Sequence, residues 1–260
     1  ICDNCDKAAF MTAEMLSDAA GVSESTVVRL ASELGFSGYP AMRADYAAGD
    51  NIEAKDFVSG QNTLLPLAGP ANRQGRIVAD NICGFNSTYK NTQGTSVVKI
   101  FDLTVASSGN NEKQLKQKEI PYWKTYVYGR SHAGYYPNSD MILYKLLFSN
   151  DGKILGIQGI GESGVEKRVD VIATIMRNNG TVQDMIDAEL CYAPPYSSAK
   201  DPVNILGMSA DNILKGLVKP AYFEDLKDAV VIDVRPNMIY KMGTIVGAIN
   251  IPIAEIRESV

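Results

Sequence analysis

Apolar positions recur with different spacings along the chain and divide it into three stretches. In the first stretch, up to about residue 46, they recur at helical spacing in two short segments, AEMLSDAA and STVVRLASELG. Thr12 and Ser23 each stand where a helix N-cap belongs, and Gly21 separates the two segments. This pattern predicts two short helices joined by a tight glycine turn.

The second stretch, at residues 95–161, alternates between apolar and polar positions or runs apolar, which is typical of β-strands. The predicted strands are SVVKIFDLTVASSG (a strand pair), KTYVYG, MILYKLLFS and KILGIQGIG. An Asn-Asp-Gly sequence at 150–152 predicts a hairpin turn between the last two. A short polar helix, NEKQLKQKEI, is expected among the strands, capped by Asn110 or Asn111.

Helical spacing returns after the strands, in VEKRVDVIATIMRNNG and then in TVQDMIDAEL, which Thr181 can cap. Antiparallel strands followed by helices predict an α+β fold. Residues 159–164 fit the pattern GxGxxG of dinucleotide-binding turns. The hairpin implies that the strand before this pattern pairs antiparallel, and a helix follows where a parallel strand should be. We therefore expect no dinucleotide site there.

Composition and charge narrow the possible functions. The chain has 260 residues and a formal net charge of −5, which argues against a strongly basic nucleic-acid binder but not against a small DNA-binding module. His132 is its one histidine, and Cys2 and Cys5 form a lone CxxC, so no metal site is predicted. No apolar run has membrane-spanning length, and residues 1–10 do not fit a signal peptide. These features predict a cytoplasmic protein with reduced thiols and no membrane partner.

The segment MTAEMLSDAAGVSESTVVRLASELGFSGYPAMR closely resembles the helix-turn-helix head of RpiR-type sugar-responsive regulators. The resemblance implies that Ser23, Ser25, Thr26 and Arg29 face DNA. Hydroxyls and a guanidinium at the start of a recognition helix can reach phosphates and base edges. The alternative is a plain structural helix pair, because little sequence precedes the two helices and the sugar-binding domain of that family is absent.

The segment YAAGDNIE…LLPLAGPANRQGRIVADNICG resembles the second flavin-contacting region of the pyridine nucleotide-disulfide oxidoreductases. The resemblance implies that Asp50 accepts a hydrogen bond from the ribitol of FAD. It also implies that Leu67 and Ala68 approach the flavin ring, at a helix opened by Gly69 and Pro70. The amides of such a helix N-terminus stabilise negative charge on a reduced flavin.

Three further motifs, SHAGYYP, GVEKRVDVIAT and CYAPPYSSAKDPVN, resemble the dimerisation domain of CoA-disulfide reductases in the same family. The resemblance implies a homodimer in which Tyr135 and Tyr192 enter the partner subunit's active site and serve a departing CoA thiolate. His132 is interpreted as structural or substrate-lining. Other candidate partners of a phosphate or carboxylate are Lys167, Arg168 and Lys200, although such side chains are usually solvated.

The third stretch, DAVVIDVRPNMIYKMGTIVGAINIPIAEI, resembles the opening of a rhodanese domain through IDVRP and GAINIP. Thr244 stands where that family usually has histidine. The chain ends at Val260, before the position of the rhodanese cysteine, so sulfur transfer by this chain is not expected.

These segments define four expected domains: a helix-turn-helix at 1–46, a remnant of an FAD-binding domain at 47–94, a dimerisation domain at 95–215, and a truncated α/β rhodanese-like domain at 220–260. The expected function is that of the dimerisation part of a CoA-disulfide reductase that uses FAD and NAD(P)H. Since an FAD fingerprint, an NAD(P)H domain and a redox-cysteine motif are missing from the sequence, we expect the isolated chain to be inactive. The alternative is a DNA-binding regulator whose dimerisation comes from the reductase-like domain.

Overall fold

A computed structural model describes residues 12–33, 48–49 and 52–259 of the chain. The chain divides into two compact units, Ile1–Leu214 and Lys215–Val260. Two expectations lie outside the described residues, namely the ribitol contact of Asp50 and the CxxC of Cys2 and Cys5.

The first described elements are the two short helices that the sequence predicts, α1 (Ala13–Ala20) and α2 (Glu24–Glu33). The hydroxyl of Thr12 accepts a hydrogen bond from the amide of Met15 at 3.1 Å and so caps α1. Gly21 ends α1 with a left-handed backbone at φ 64°. Ser23 then accepts from the amide of Thr26 at 3.3 Å. Both predicted caps and the glycine turn are therefore present.

A small hairpin and one longer helix follow. The strands β1 (Glu53–Lys55) and β2 (Asn62–Leu64) pair antiparallel, and α3 spans Ala68–Ile82. Helix α3 begins directly after Leu67, as the glycine-proline start of the predicted helix indicates.

The centre of the first unit is a five-stranded antiparallel sheet. Its order is β3-β4-β7-β6-β5, so that β3 and β5 form opposite edges. Gly152 makes the hairpin turn with φ 80°, which explains the glycine there. Strand β7, which carries the GxGxxG pattern, pairs antiparallel on both sides, as predicted. The strands are β3 (Ser96–Ile100), β4 (Leu103–Gly109), β5 (Trp123–Arg130), β6 (Met141–Phe148) and β7 (Ile154–Gly161).

Helices α5 (Val165–Arg177), α6 (Val182–Asp187) and α7 (Pro202–Leu214) complete the domain, and α5 and α7 both contact the sheet. Helix α6 ends earlier than the sequence pattern predicts, because Ala188 has an extended backbone. The amide of Asn204 on α7 donates to three carbonyls at this end, including those of Met185 at 3.0 Å and Ala188 at 2.9 Å. The core between sheet and helices includes Ile142, Tyr144, Leu146, Ile157, Val169, Ile172, Met176 and Leu206.

A cluster around one carboxylate joins β5 and β6 to the short helix α4 (Glu112–Gln117), which Asn111 caps. Glu112 accepts hydrogen bonds from Lys145 at 2.5 Å, Tyr122 at 2.8 Å and Lys124 at 3.0 Å. Burial raises the pKa of Glu112, but these hydrogen bonds outweigh it and hold the pKa well below its usual range.

The second unit has a small parallel pair of strands, β8 (Ile232–Asp233) and β9 (Ile249–Asn250), with α8 (Asn237–Met242) between them and α9 (Ile256–Ser259) after them. Asp233 accepts a hydrogen bond from the hydroxyl of Thr244 at 2.8 Å. The amide of Asn250 donates to the carbonyls of Asp233 and Arg235, both at 2.8 Å. These contacts fix the turn that follows β8.

Among the described residues, no helix combines the length and the apolar character that crossing a bilayer requires. In the same part of the chain, His, Cys, Asp and Glu side chains form no group of three or more that could hold a metal ion.

Replacing Glu112 with glutamine should lower the free energy of unfolding by about 1–3 kcal/mol at pH 7, because hydrogen bonds to a charged group are lost. Since the pKa of Glu112 is lowered in the folded state, its stabilisation is complete above the ordinary value of about 4.3. It is lost as the pH falls through the folded-state pKa. Urea unfolding at pH 7 and pH 3 should therefore show a difference between variant and parent that narrows at pH 3. The exposed Glu162→Gln serves as control, and equal stability of Glu112→Gln and parent at pH 7 would contradict the account.

Candidate functional site

Two loops meet beside the β5–β6 end of the sheet. The first, at residues 131–140, connects β5 to β6, and the second, at residues 188–201, connects α6 to α7. The amide of Ala133 in the first loop donates to the carbonyl of Pro194 in the second at 3.2 Å. The first loop carries Tyr135 and the second carries Tyr192, the two tyrosines that the sequence motifs single out.

The structure brings these two tyrosines together, although they are far apart in sequence. Their side chains reach solvent, with Tyr135 78% and Tyr192 50% exposed. A hydrogen bond to Tyr192 raises the pKa of Tyr135, with smaller contributions from burial and from the charge of a Tyr192 phenolate. When one hydroxyl of the pair donates to the other, the hydrogen of the accepting phenol remains available to a further acceptor.

His132 holds the first loop in shape. Its Nε2 lies 2.9 Å from the carbonyl of Pro137, which can only accept, so this nitrogen carries the hydrogen. Its Nδ1 then accepts from the hydroxyl of Ser131 at 3.1 Å. That hydroxyl in turn accepts from the amide of Asp140 at 3.0 Å. Both ring nitrogens are engaged within the loop, which agrees with a structural role for His132.

Arg168 on α5 is buried, with only 1% of its surface exposed, and is not the solvated surface residue that its charge indicates. It forms an ion pair with the buried Asp201 at 3.0 Å. The same nitrogen, Nη2, also donates to the carbonyl of Ser131 at 2.8 Å and to the hydroxyl of Ser197 at 3.3 Å, and Nη1 donates to the carbonyl of Gly164 at 3.0 Å. The carboxylate partner of Arg168 therefore belongs to this chain. The other two candidate cations, Lys167 and Lys200, are exposed.

Sequence analysis missed Asp201 and Ser197, both of which are almost fully buried. Ser197 donates to Asp201 at 2.6 Å, and Asp201 also accepts from the amide of Val203 at 3.0 Å. The second bond is an N-cap of α7, and Asp before Pro202 is a recognisable cap signal. That signal predicts the cap but not the ion pair.

The proposed flavin contacts lie elsewhere in the first unit. Leu67 lines a cavity of about 280 Å³ together with Ser96, Ser107 and Asn111, on the β3–β4 side of the sheet. This cavity is lined by residues of β3, β4 and β7, whereas the tyrosine loops adjoin β5 and β6 on the other side of the sheet. Leu67 provides no side-chain cap for α3. A Cβ placed on Gly69 would meet open space. This open, uncapped helix start fits the approach of a flat, anionic ring.

The DNA-facing candidates Ser23, Ser25 and Arg29 are exposed at or near the start of α2, and Thr26 is partly exposed. The hydroxyl of Ser23 lies 2.8 Å from those of Ser25 and Thr26. Ser25, Thr26 and Arg29 thus lie on α2, and Ser23 directly precedes it.

Family models match two of the three stretches and agree with the resemblances found there in the sequence. Residues 95–202 match the dimerisation domain of the pyridine nucleotide-disulphide oxidoreductases, and residues 1–50 match the helix-turn-helix domain of the rpiR family. A coenzyme A disulfide reductase from Staphylococcus epidermidis is 36% identical over 167 residues, which are 64% of this chain and 38% of that protein.

Solved structures match over a wider part of the chain. The crystal structure of reduced Bacillus anthracis CoADR-RHD is 52% identical with a TM-score of 0.79, and the match covers 82% of this chain and 40% of that one. An NAD-dependent persulfide reductase from A. fulgidus is 35% identical with a TM-score of 0.75, over 82% and 39% of the two chains. This chain thus spans about two fifths of the length of its relatives. The family match is thus to the dimerisation domain of the pyridine nucleotide-disulphide oxidoreductases, and it is confined to residues 95–202.

Proposed function

We propose that residues 47–215 form the interface part of a homodimeric CoA-disulfide reductase that depends on FAD and NAD(P)H. The observation that carries this proposal is the meeting of Tyr135 and Tyr192 on an exposed surface of the dimerisation domain. Two relatives, a coenzyme A disulfide reductase and a persulfide reductase, act on sulfur compounds according to their names, which supports the same class of substrate.

The tyrosine pair suits the release of a CoA thiolate. Reduction of a disulfide leaves a sulfur anion, which needs a hydrogen-bond donor or a proton. Because the two hydroxyls are hydrogen-bonded to each other, the phenol that accepts this bond becomes a better donor. The hydrogen bond to Tyr192 raises the pKa of Tyr135 and so keeps the Tyr135 phenol protonated at neutral pH.

The separation of the flavin contacts from the tyrosine pair supports a site shared between two subunits. When bound, FAD would relay electrons from a nicotinamide to sulfur. Asp50 would hold its ribitol, and Leu67 and Ala68 would place the free amides of α3 beside the ring. The tyrosine pair of one subunit would then face the flavin of its partner.

NAD(P)H has no comparable fit in this sequence. The GxGxxG residues lie at the end of an antiparallel strand, so they do not form a dinucleotide-binding turn. Cys83 and Cys191 are exposed and do not lie in the redox-cysteine motif of the family. Within the proposed enzyme, residues 47–215 contribute the dimer interface and partial flavin contacts.

The second unit is proposed to be the opening of a rhodanese-like domain. Its parallel strands β8 and β9 come from the IDVRP and GAINIP segments, and α8 lies between them in sequence. The match to CoADR-RHD covers 82% of this chain, so it extends beyond residues 47–215. Thr244, at the position of the usual histidine, binds Asp233.

A chimera tests the role of the tyrosines. Residues 47–215 would replace the part of the S. epidermidis reductase that matches this chain over 167 residues, and the rest of that reductase would be kept. The double variant Tyr135→Phe/Tyr192→Phe should lower kcat for CoA-disulfide reduction by about 10²–10⁴-fold, the usual contribution of a positioned acid. Rapid-mixing measurement of flavin reduction by NAD(P)H should show no change, because that step precedes thiolate release.

Tyr196→Phe provides the matched control, since Tyr196 lies in the same loop and is 71% exposed. A chimera in which the double variant turns over CoA disulfide as fast as its parent would contradict the proposed role.

A second function is favoured by the match of residues 1–50 to the rpiR helix-turn-helix domain and by the exposed polar start of α2. In this alternative, the first helices bind DNA and the reductase-like domain supplies the dimer. Two helix pairs in a dimer would bind two half-sites.

Arg29→Ala should weaken DNA binding by the full chain about 10-fold or more, because a guanidinium contact to a base or phosphate is lost. Gel retardation with a library of duplexes at several salt concentrations measures this, and parental binding should fall steeply as salt rises. Lys227→Ala, in the second unit, serves as a charge-matched control. Failure of the folded parent to retard any duplex would eliminate this alternative.

A further inference from the structure

We propose that Arg168 is a positioning residue that holds the Tyr135 loop and the Tyr192 loop in one fixed arrangement. This inference rests on the proposed function of the tyrosine pair and adds the group that sets its geometry. Arg168 does not contact the pair directly. It acts through the backbone and side chains at the base of each loop.

The first loop is attached to Arg168 at its beginning. The Nη2 of Arg168 donates to the carbonyl of Ser131 at 2.8 Å, directly after the end of β5. The hydroxyl of Ser131 accepts a hydrogen bond from the amide of Asp140 at 3.0 Å. The amide of Ser131 donates to the carbonyl of Asp140 at 2.9 Å. Both ends of the loop that carries Tyr135 therefore meet at Ser131.

The second loop is attached to the same guanidinium at its end. Asp201, the last residue before α7, forms the ion pair, and Ser197 bridges the two partners. Tyr196 and Ser197 both donate their amides to the carbonyl of Ala193, and the hydroxyl of Ser197 donates to Asp201. Hydrogen bonds therefore connect Ala193 to Asp201 through Ser197. Tyr192 directly precedes this set.

The fork shape of the guanidinium is needed for this arrangement. Arg168 uses Nε and Nη2 on Asp201, Nη2 on Ser131 and Nη1 on Gly164. A lysine has one ammonium on a flexible stem and cannot face these directions at once. Gly164 has a left-handed backbone at φ 71° and lies close enough that a Cβ there would come within 2.5 Å of Arg168 Nη1. The space around the guanidinium is therefore shaped for it.

Photo-oxidative dityrosine formation in the full chain, without substrate, tests the inference. Two phenols within hydrogen-bonding reach couple efficiently, and mass spectrometry of a digest quantifies the peptide that joins Tyr135 to Tyr192. Arg168→Lys should lower its yield several-fold, because the charge remains but the fork is lost. Ser197→Ala should lower it as well, because it removes the hydroxyl between Arg168 and Asp201.

Lys167→Met is the matched control, since Lys167 is the exposed neighbour on the same helix, and it should leave the yield unchanged. Circular dichroism and urea unfolding verify that each variant is folded. If Arg168→Lys does not fold, Ser197→Ala decides, because it changes little volume. Parental yield in folded Ser197→Ala, and in any folded Arg168→Lys, would overturn the inference.

The crosslinking experiment and the chimera experiment can fail independently of each other. The crosslink reports the geometry of the pair, whereas turnover of the chimera reports its chemistry. If the crosslink yield falls and the Tyr135→Phe/Tyr192→Phe chimera stays active, the positioning role of Arg168 stands and the proposed role of the tyrosines in thiolate release fails. If the chimera needs the tyrosines and the yield does not change, only the inference about Arg168 fails.

Discussion

The buried ion pair of Arg168 and Asp201 is the contact on which the candidate functional surface depends. It lies between α5 and the start of α7, with 2% and 4% of the two side chains exposed. Burying two charges is costly, and removing one partner from such a pair typically costs about 3–5 kcal/mol. Here the remaining donors of the guanidinium are used by backbone and side chains at the base of both tyrosine loops. The sheet-and-helix core and the site therefore share one polar network.

Local rules of sequence predict most of the elements of the first unit. The strands follow from alternation, the hairpin at Gly152 from its Asn-Asp-Gly sequence, and α4 from a cap that the structure assigns to Asn111. The same rules predict antiparallel pairing at the GxGxxG segment, because a tight hairpin allows no other pairing. Each of these features is determined by residues that are close in sequence, so it can be predicted from one sequence without a structure.

The features that sequence analysis missed depend on distant partners. Arg168 looks like a solvated cation beside Val169, because its carboxylate partner lies 33 residues further along the chain. The end of α6 depends on Asn204, which approaches from another helix. The tyrosine pair could be expected only through a family resemblance, since phenols have no spacing rule that reveals their contact. Polar networks of this kind can be recognised only once the tertiary fold is known, whereas apolar periodicity can be read from the sequence alone.

Native-state hydrogen exchange tests most directly whether the network joins both loops to the core. The amide of Ala133 is bound to Pro194 and that of Asp140 to Ser131, both at the base of the tyrosine loops. If Arg168 unites loops and core, these amides exchange only through the opening that also exposes the amides of α5, with the same free energy. Rapid exchange of Ala133 and Asp140 while α5 stays protected would contradict the account.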